Sequence, residues 1–494
     1  MNAANFAIKT TALAGFLLII LGFKLFFIFF YGNATPYWDQ WDAEAANLYK
    51  PILENNYNVQ LLFSSHNEHR ILITRLLGIF LLKINGIWNP LLQMSVNAVL
   101  HTGVICILVI LTGRVLGKYF WPALMIIALA LFIIPFGWEN TLAGFQSQFY
   151  FVILFSVVSL SIITNSTPFT MAWFLGVFLG ICAYFSLSSG VFVFAVACVS
   201  LITKSLISND FTKRNITAIL FFITLFTVEF HFITLCHYHD SLKASSFNSF
   251  ITSFAEVAGW PLRYQGSNLK YLFPLLIYAP TIVYFLYCLK NKELLHKNNL
   301  FLLGIVAFII ANEASISYGR AIGNLSSRYT DIYLLGLYIN FAYVLLLVKR
   351  KKKFKIATTI LSAFWVFIVI LSLYYVAFKN IPAELNNKKN YSLLEQSNTK
   401  KFVESGDIES LMNKGYLEIP YPDPLRLSKL LSDSTIRSIL PKSICVSNQT
   451  GTLDTSVNYI LSCGMYLIAI GSFIFILSLI LMFRFREEQV SPTL

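Results

Sequence analysis

Charged residues are scarce in this chain: Asp, Glu, Lys and Arg supply only 12% of its 494 residues, while 56% are hydrophobic. A typical soluble domain carries about twice that share of charge, so the composition argues against a soluble protein. Apolar runs long enough to cross roughly 30 Å of hydrocarbon as helices recur from residue 11 to residue 483. The sequence therefore predicts an all-α, polytopic membrane protein.

Cysteine and nucleotide-binding motifs are missing where a soluble function would need them. Six of the seven cysteines fall inside apolar runs and only Cys445 lies in a polar segment, so no disulfide framework or zinc quartet is indicated. The chain has no G-x-x-x-x-G-K-[ST] motif and no Gly-rich dinucleotide fingerprint. This argues against consumption of ATP or of a nucleotide sugar. The formal charge of +13 lies largely in short loops, where it indicates topology and not nucleic-acid binding.

Twelve apolar runs are predicted to span the membrane, at residues 11–31, 91–112, 120–137, 149–164, 171–187, 190–204, 216–236, 271–290, 299–312, 332–348, 356–378 and 457–483. Basic residues cluster in alternate loops, at Arg114 and Lys118; Lys204, Lys213 and Arg214; Lys290, Lys292 and Lys297; the run KRKKKFK from Lys349; and Arg484 with Arg486. If the N-terminus is cytoplasmic, all of these loops are cytoplasmic, as the positive-inside rule requires. The C-terminus is then cytoplasmic too.

The outward loops are longer and richer in acids and aromatics, so function is expected there. In the first of them, the apolar run Ile71–Ile84 is too short to span the membrane. We predict that it lies on the outer leaflet as an amphipathic helix, with Arg75 and Lys83 directed toward lipid headgroups. The alternative is a short tilted span.

Three regions are predicted along the chain. Residues 1–378 form the catalytic bundle, including the first outward loop at 32–90. Residues 379–456 form the largest polar segment, which is an outward loop or a small domain. Residues 457–494 supply the last transmembrane helix and a cytoplasmic tail.

Two aspartates of the first outward loop are the candidate catalytic residues. The motif YWDQWD places Asp39 and Asp42 three residues apart, so in a helix they would share one face beside Trp38 and Trp41. Two carboxylates next to indole rings that exclude water suit a general base. The competing interpretation is that acids and tryptophans are simply common at membrane interfaces.

The motif HNEHR supplies the first candidate substrate ligands. Glu68, His69 and Arg70 suit a sugar hydroxyl or a phosphate. A divalent metal is a second interpretation, but the three-residue spacing of His66 and His69 matches no strong metal signature. No cofactor is therefore assigned.

Two later outward loops supply further candidate ligands. Glu139, Gln146 and Gln148 lie between aromatics in WENTLAGFQSQF, a composition typical of carbohydrate recognition. Arg320 and Arg328 lie eight residues apart beside glycines in GRAIGNLSSRY, and guanidinium groups suit a phosphate. These loops are also compatible with ordinary helix ends and with arginines that reach lipid headgroups.

Several of these segments together resemble the GT-C superfamily of integral-membrane glycosyltransferases. The resemblance rests on YWDQWD, HNEHR, the second span VNAVLHTGVICILVILTGRVLG, WENTLAGFQSQF and GRAIGNLSSRY, and it covers residues 10–350. Within the superfamily, the chain is similar to bacterial enzymes that decorate O-antigen or other surface polysaccharide, including serotype-converting glucosyltransferases. This implies a GT-C-like fold in the bacterial inner membrane, with the active site on the periplasmic face.

The resemblance also implies a reaction and its partners. A sugar, expected to be a hexose, would pass from a polyprenyl-phosphate donor to a glycan or lipid-linked glycan, as in lipopolysaccharide modification. The family's acid falls on Asp39, with Asp42 as the alternative, and Arg320 and Arg328 resemble the family's donor-phosphate ligands. Nucleic acid is not an expected partner, whereas membrane lipids are, and a donor synthase and a flippase are expected to be encoded nearby.

Two other functions remain open from the sequence. An O-antigen polymerase is also multispanning, with outward arginines and a large late loop, but it would lengthen chains instead of adding one residue per site. A lipid-linked sugar flippase would carry charges near the middle of the membrane, and Glu229 and His231 in the predicted span 216–236 are compatible with it.

Overall fold

The computed structural model describes residues 3–262, 268–291, 293, 297–323, 325–350, 355–445 and 450–490. In this part of the chain all regular structure is helical, which confirms the predicted all-α class. Two π-helical segments, Gln40–Tyr49 and Val376–Asn380, and several short 3-10 turns lie between α-helices. The α-helices are α1 Ala3–Tyr31, α2 Lys50–Leu53, α3 Gln60–Phe63, α4 Leu72–Asn85, α5 Pro90–Leu116, α6 Trp121–Phe132, α7 Trp138–Thr141, α8 Ser147–Asn165, α9 Met171–Tyr184, α10 Phe192–Ser208, α11 Lys213–His231, α12 Phe247–Ala258, α13 Phe273–Ile277, α14 Ala279–Lys290, α15 Lys297–Gly319, α16 Thr330–Arg350, α17 Lys355–Tyr375, α18 Ile381–Ser405, α19 Pro424–Ser432, α20 Ser434–Arg437, α21 Asp454–Ser462 and α22 Gly464–Val490.

Eight helical stretches in the described chain are long and apolar enough to cross a membrane, and a pair bent by 53° around Tyr278 would make a ninth. The other predicted spans correspond to α6 and α9, which have only 12 and 14 residues, and to α11. All twelve predicted apolar runs are thus helical, although length and composition support at most nine as spans. Of the predicted basic loops, Lys292 and residues 351–354 lie outside the described residues. The eight stretches are Phe6–Tyr31, Pro90–Leu116, Gly144–Asn165, Ser188–Ser208, Asn299–Gly319, Ser327–Lys349, Ile356–Ser405 and Gly464–Arg484.

The first and last long helices, α1 and α22, pack closely along each other. A Cβ atom on Gly22 would lie 2.8 Å from the carbonyl oxygen of Gly464, and one on Gly471 would lie 2.9 Å from that of Gly15. Such distances are too short for any side chain, so glycine is required for the two backbones to approach. The helices α1 and α22 are therefore in direct backbone contact.

Helix α4 forms where the short amphipathic helix was predicted, but one of its two cations is not directed toward lipid. The Arg75 side chain is buried, and its Nη1 donates to the carbonyl oxygens of Leu61 and Leu62 at 2.8 and 3.0 Å. These carbonyls belong to the short helix α3, whose last turn leaves them without intrahelical partners. The prediction that Arg75 is directed toward lipid headgroups is wrong, because the arginine binds those carbonyls inside the protein. Lys83 is exposed, as expected.

The first polar loop, at 32–90, and the described residues of the late polar segment, at 379–456, share one hydrophobic core, separate from that of the bundle. Trp41, Tyr49 and Trp88 from the first loop pack with residues of α18, α19, α20 and the turns between them, such as Phe402 and Leu431. We call this unit the cap. Because both segments are needed to bury the same core, the late segment is not an independent domain, and the cap fixes the π-helix that follows Asp39.

Candidate functional site

Asp39 and Asp42 point into different parts of the molecule, so the expected shared face is not formed. The N–H of Trp38 donates to the carbonyl oxygen of Pro420 in the cap at 2.7 Å, and Trp38 has a left-handed φ of 48°. Such a backbone is uncommon for a large side chain and turns the chain sharply just before Asp39. The following segment is a π-helix, which turns less per residue than an α-helix, so residues three apart diverge.

Asp39 lines a cavity of about 390 Å³ between the helices of the bundle. The polar part of the cavity wall also includes Glu68, from the segment before α4, and Arg320 and Arg328, from the segment between α15 and α16. The rest of the wall is mostly apolar and is supplied by α8, α10, α11 and α15 with their adjoining turns; it includes Phe149, Val152, Leu187, Phe192, Phe230 and Ile316. The cavity therefore combines a mostly apolar wall with charged side chains.

A second, smaller cavity of about 110 Å³ also borders Asp39. Asp39, Phe145, Gln146 and Arg328 line both cavities. The wall of the small cavity is otherwise rich in aromatic and charged side chains, namely Tyr37, Trp38, Trp138, Glu139 and Lys388. A carboxylate and a guanidinium group thus stand at the junction between an apolar cavity and an aromatic one.

The Asp39 carboxylate is kept ionised by its neighbours. Burial raises its pKa, but His66, whose Nε2 lies 3.6 Å from Asp39 Oδ1, together with Arg328 and His69 outweighs burial and holds the pKa below its ordinary value. Positive or hydrogen-bonding groups near a carboxylate favour its charged form. At neutral pH Asp39 is therefore a carboxylate that can accept a proton.

Arg328 is positioned by Glu139, which acts as an anchor for its loop. Glu139 Oε2 accepts hydrogen bonds from the backbone N–H of Arg328 at 3.0 Å and from the hydroxyls of Ser326 and Ser327. Asn140 Nδ2 donates to the Arg328 carbonyl oxygen at 2.7 Å. The predicted sugar ligand Glu139 lines the small cavity, but its carboxylate is largely occupied in holding the Arg328 loop.

Three other predicted ligands, His69, Gln146 and Gln148, also border the large cavity. His69 Nδ1 lies 2.6 Å from Ser188 Oγ, and burial lowers the pKa of His69 to about 4, so its ring is neutral at pH 7. Gln148 Nε2 donates to Gln146 Oε1 at 3.0 Å, which couples the two amides. His69, Gln146 and Gln148 therefore offer neutral hydrogen-bonding groups beside Asp39.

Two predicted site residues lie outside both cavities. Arg70 donates to the carbonyl oxygens of Phe63 at 2.5 Å and Phe232 at 3.3 Å. Asp42 accepts from Arg426 Nε at 2.8 Å and from the Tyr421 hydroxyl at 2.5 Å, both in the cap. The Asp42 partners are about 380 residues away in the chain and Phe232 is 162 residues from Arg70, so the sequence could not reveal these contacts.

Two residues near Glu68, Cys236 and His239, were not among the site residues predicted from the sequence. They lie in the loop after α11, and His239 Nδ1 is 2.5 Å from Glu68 Oε1. Arg320 Nη2 lies 3.7 Å from the same Glu68 oxygen. The sequence signal was the run CHYHD, the densest group of polar titratable residues between α11 and α12.

The HNEHR motif does not supply a metal site by itself. The backbones of His66 and His69 pair with each other, His66 N to His69 O at 2.7 Å and the reverse at 3.0 Å, so this four-residue segment forms a tight hairpin. His66 approaches Asp39, His69 contacts Ser188, and Glu68 contacts His239. The three side chains therefore diverge.

Comparison with protein-family models, with curated proteins and with solved structures finds no match for the chain.

Proposed function

We propose that the chain is a GT-C-type membrane glycosyltransferase that moves a sugar, expected to be a hexose, from a polyprenyl-phosphate donor to a surface glycan such as O-antigen. The observation that carries the proposal is the position of Asp39 between two cavities of different chemistry. The large one has an apolar wall suited to an isoprenoid chain and two arginines suited to its phosphate. The small one has the aromatic and polar lining expected for a sugar.

The proposed reaction is a displacement at the anomeric carbon. Asp39 takes the proton of the acceptor hydroxyl as the hydroxyl oxygen forms its bond to that carbon. The bond between the anomeric carbon and the phosphate oxygen breaks, and polyprenyl phosphate leaves with the electron pair. Arg320 and Arg328, which both lie in the segment between α15 and α16, stabilise the charge that develops on the phosphate. The inverting stereochemistry follows from the resemblance to the superfamily.

The role of the aspartate pair is resolved in favour of Asp39 in this proposal. Asp39 is at the junction of the cavities, whereas Asp42 is held by Arg426 and Tyr421 in the cap. Gln146 and Gln148 orient the sugars, and Glu139 acts by holding the Arg328 loop. Glu68 is the neighbour of Arg320 and lies farther from the reaction.

The proposal includes a topology. We propose that α6, α9, α11 and the bent pair α13–α14 cross the membrane in addition to the eight long stretches, giving twelve spans in the bacterial inner membrane. Both termini are then cytoplasmic, and the cap and both cavities lie on the periplasmic side. Cysteine accessibility at single sites in the cap and in the loop after α10 would test this orientation.

Transfer of a labelled sugar by the purified protein tests the function. The protein in detergent is given a polyprenyl-phosphate hexose with a radioactive sugar and an O-antigen acceptor, and the acceptor is expected to gain one residue per site. Chain lengthening would indicate a polymerase instead. If the protein transfers no sugar in detergent but moves lipid-linked sugar across the membrane of reconstituted vesicles, it is a flippase and the proposal is wrong.

A further inference from the structure

A cluster in the wall of the large cavity takes no direct part in that mechanism. One ligand atom each from Glu68, Cys236 and His239 lies within 4.8 Å of the others. Glu68 belongs to the hairpin before α4, and the other two residues belong to the loop after α11. Glu68 and Cys236 also line the cavity.

The two loops are fixed to each other and to the end of α15. The Tyr238 hydroxyl donates to Asn67 Oδ1, beside the contact between His239 and Glu68. The N–H of Ala244 donates to the Tyr318 carbonyl oxygen at 2.8 Å, which ties the loop after α11 to the end of α15. The three donor groups are therefore held together by backbone and side-chain contacts on both sides, as a preorganised ligand set requires.

We propose that Glu68, Cys236 and His239 bind a divalent transition metal, with zinc the best match to the donors. A thiolate, an imidazole and a carboxylate are zinc ligands, and a thiol disfavours Mg²⁺ and Ca²⁺, which prefer oxygen. Three protein ligands leave a fourth coordination position, and here it would face the cavity because Glu68 and Cys236 line it. This is the ligand count of catalytic zinc sites.

Metal binding requires only a small rearrangement. His239 Nδ1 and Glu68 Oε1 are 2.5 Å apart, as hydrogen-bonded groups are, whereas zinc–nitrogen and zinc–oxygen bonds of about 2.1 Å in a tetrahedral site place such ligands roughly 3.3 Å apart. The pair must separate by less than about 1 Å. Zinc then replaces the proton shared by this pair, and the Cys236 thiol proton is released to solvent.

Arg320 is the group that competes with the metal. Its Nη2 lies 3.3 Å from His239 Nδ1 and 3.7 Å from Glu68 Oε1, so its charge opposes a cation at the cluster. The Arg320 side chain is about a quarter exposed and also donates to the Gly319 carbonyl oxygen. Removing its charge is therefore expected to strengthen metal binding, whereas a purely hydrogen-bonded network would gain no metal affinity from the same change.

Metal content and cobalt spectroscopy test the proposal without relying on sugar transfer. The full chain, purified in detergent without chelator, is expected to hold about one zinc per chain by elemental analysis. After replacement with Co²⁺, the protein is expected to show the near-ultraviolet band of a thiolate-to-cobalt bond. Cys236→Ser should abolish that band, while the matched Cys445→Ser, in the cap, should keep it.

Three further variants complete the test. Glu68→Gln and His239→Gln should weaken Co²⁺ binding by at least about tenfold, and Arg320→Gln should strengthen it. Absence of a thiolate band in wild-type protein that elutes as a single folded species, or equal loss of the band in both cysteine variants, would overturn the proposal. Neither result would affect glycosyl transfer as a proposal, because the labelled-sugar assay reports on that separately.

Discussion

Asp39 and Asp42 are three residues apart, yet one belongs to the cavity and the other to the cap. Asp39 is kept ionised by His66 and Arg328 and borders two cavities. Asp42 forms an ion pair with Arg426, with Nη2 2.6 Å from Oδ1. The comparison shows that the surroundings of each carboxylate matter more than its position in the sequence. Asp42 is already paired with the structural cation Arg426 and is therefore not available to a substrate.

A buried hydrogen-bond network holds the π-helix that contains Asp42. Glu44, in the π-helix, accepts hydrogen bonds from Gln40, Gln93, Tyr49 and Trp88 at 2.6 to 3.2 Å. The network joins the π-helix to α5 at the border between bundle and cap. Substitutions in the cavity, in the Glu44 network and in the cap are therefore expected to have different effects.

The largest effect is expected from Asp39→Asn. The amide cannot take the acceptor proton, so transfer should fall by at least about 100-fold, the usual contribution of a general base. Asp42→Asn is the matched control and should keep most of the activity. Initial rates with labelled donor, at equal amounts of protein in the membrane, measure both. A large loss in Asp42→Asn with full activity in Asp39→Asn would reverse the assignment.

Glu44→Gln should lower the free energy of unfolding by about 1–3 kcal/mol. The new amide group would place its N–H donors against side chains that donate to Glu44 in the wild-type protein. Burial, opposed by the four hydrogen bonds, raises the pKa of Glu44 from 4.5 to about 7. The folded state then binds more protons than the unfolded state between these values, so stability falls as pH rises through this window.

Thermal unfolding in detergent across the same pH window measures this effect. Wild-type protein should lose stability between pH 4.5 and about 7, and Glu44→Gln should lose that part of the slope. Gln60→Glu, on the exposed α3, changes charge without touching the network and serves as the control. An unchanged slope in Glu44→Gln would show that Glu44 titrates alike in both states.

His66→Gln should change the pH profile on the cavity side. Transfer needs ionised Asp39, so activity falls as pH drops through the pKa of Asp39, which His66 and Arg328 hold below its ordinary value against the effect of burial. Without the imidazole, this acidic limb should move upward by about one pH unit. The measurement is kcat/KM against pH. His231→Gln, an exposed histidine, should leave the limb in place.

The smallest effect is expected on the cap side. Asp42→Asn and Arg426→Gln should each lower the free energy of unfolding by at most about 1 kcal/mol, because the paired side chains are 26% and 47% exposed and water screens them. The double variant should lose less than the sum of the single losses. A double-mutant cycle on thermal unfolding measures the coupling, and an additive result would mean that the pair contributes nothing.

Local pattern predicted the helices well and the tertiary partners poorly. All twelve apolar runs and the short helix α4 are helical, since hydropathy and spacing act over neighbouring residues. Arg75 was misplaced because its partners, the carbonyls of α3, are set by how two helices pack. Cys236 and His239 were missed because their relation to Glu68 depends on contacts across about 170 residues.

Composition and periodicity are local properties of the chain, so they were enough to predict a polytopic helical membrane protein, the order of its helices and the segments that carry acids and arginines. Tertiary packing, in contrast, brings Asp39, Arg320 and Arg328 to one cavity and leaves Asp42 and Arg70 outside it. It also decided that the cap is built from two distant segments. The physical reason is that side-chain partners depend on packing and on the backbone turn at Trp38, which no pattern of neighbouring residues encodes.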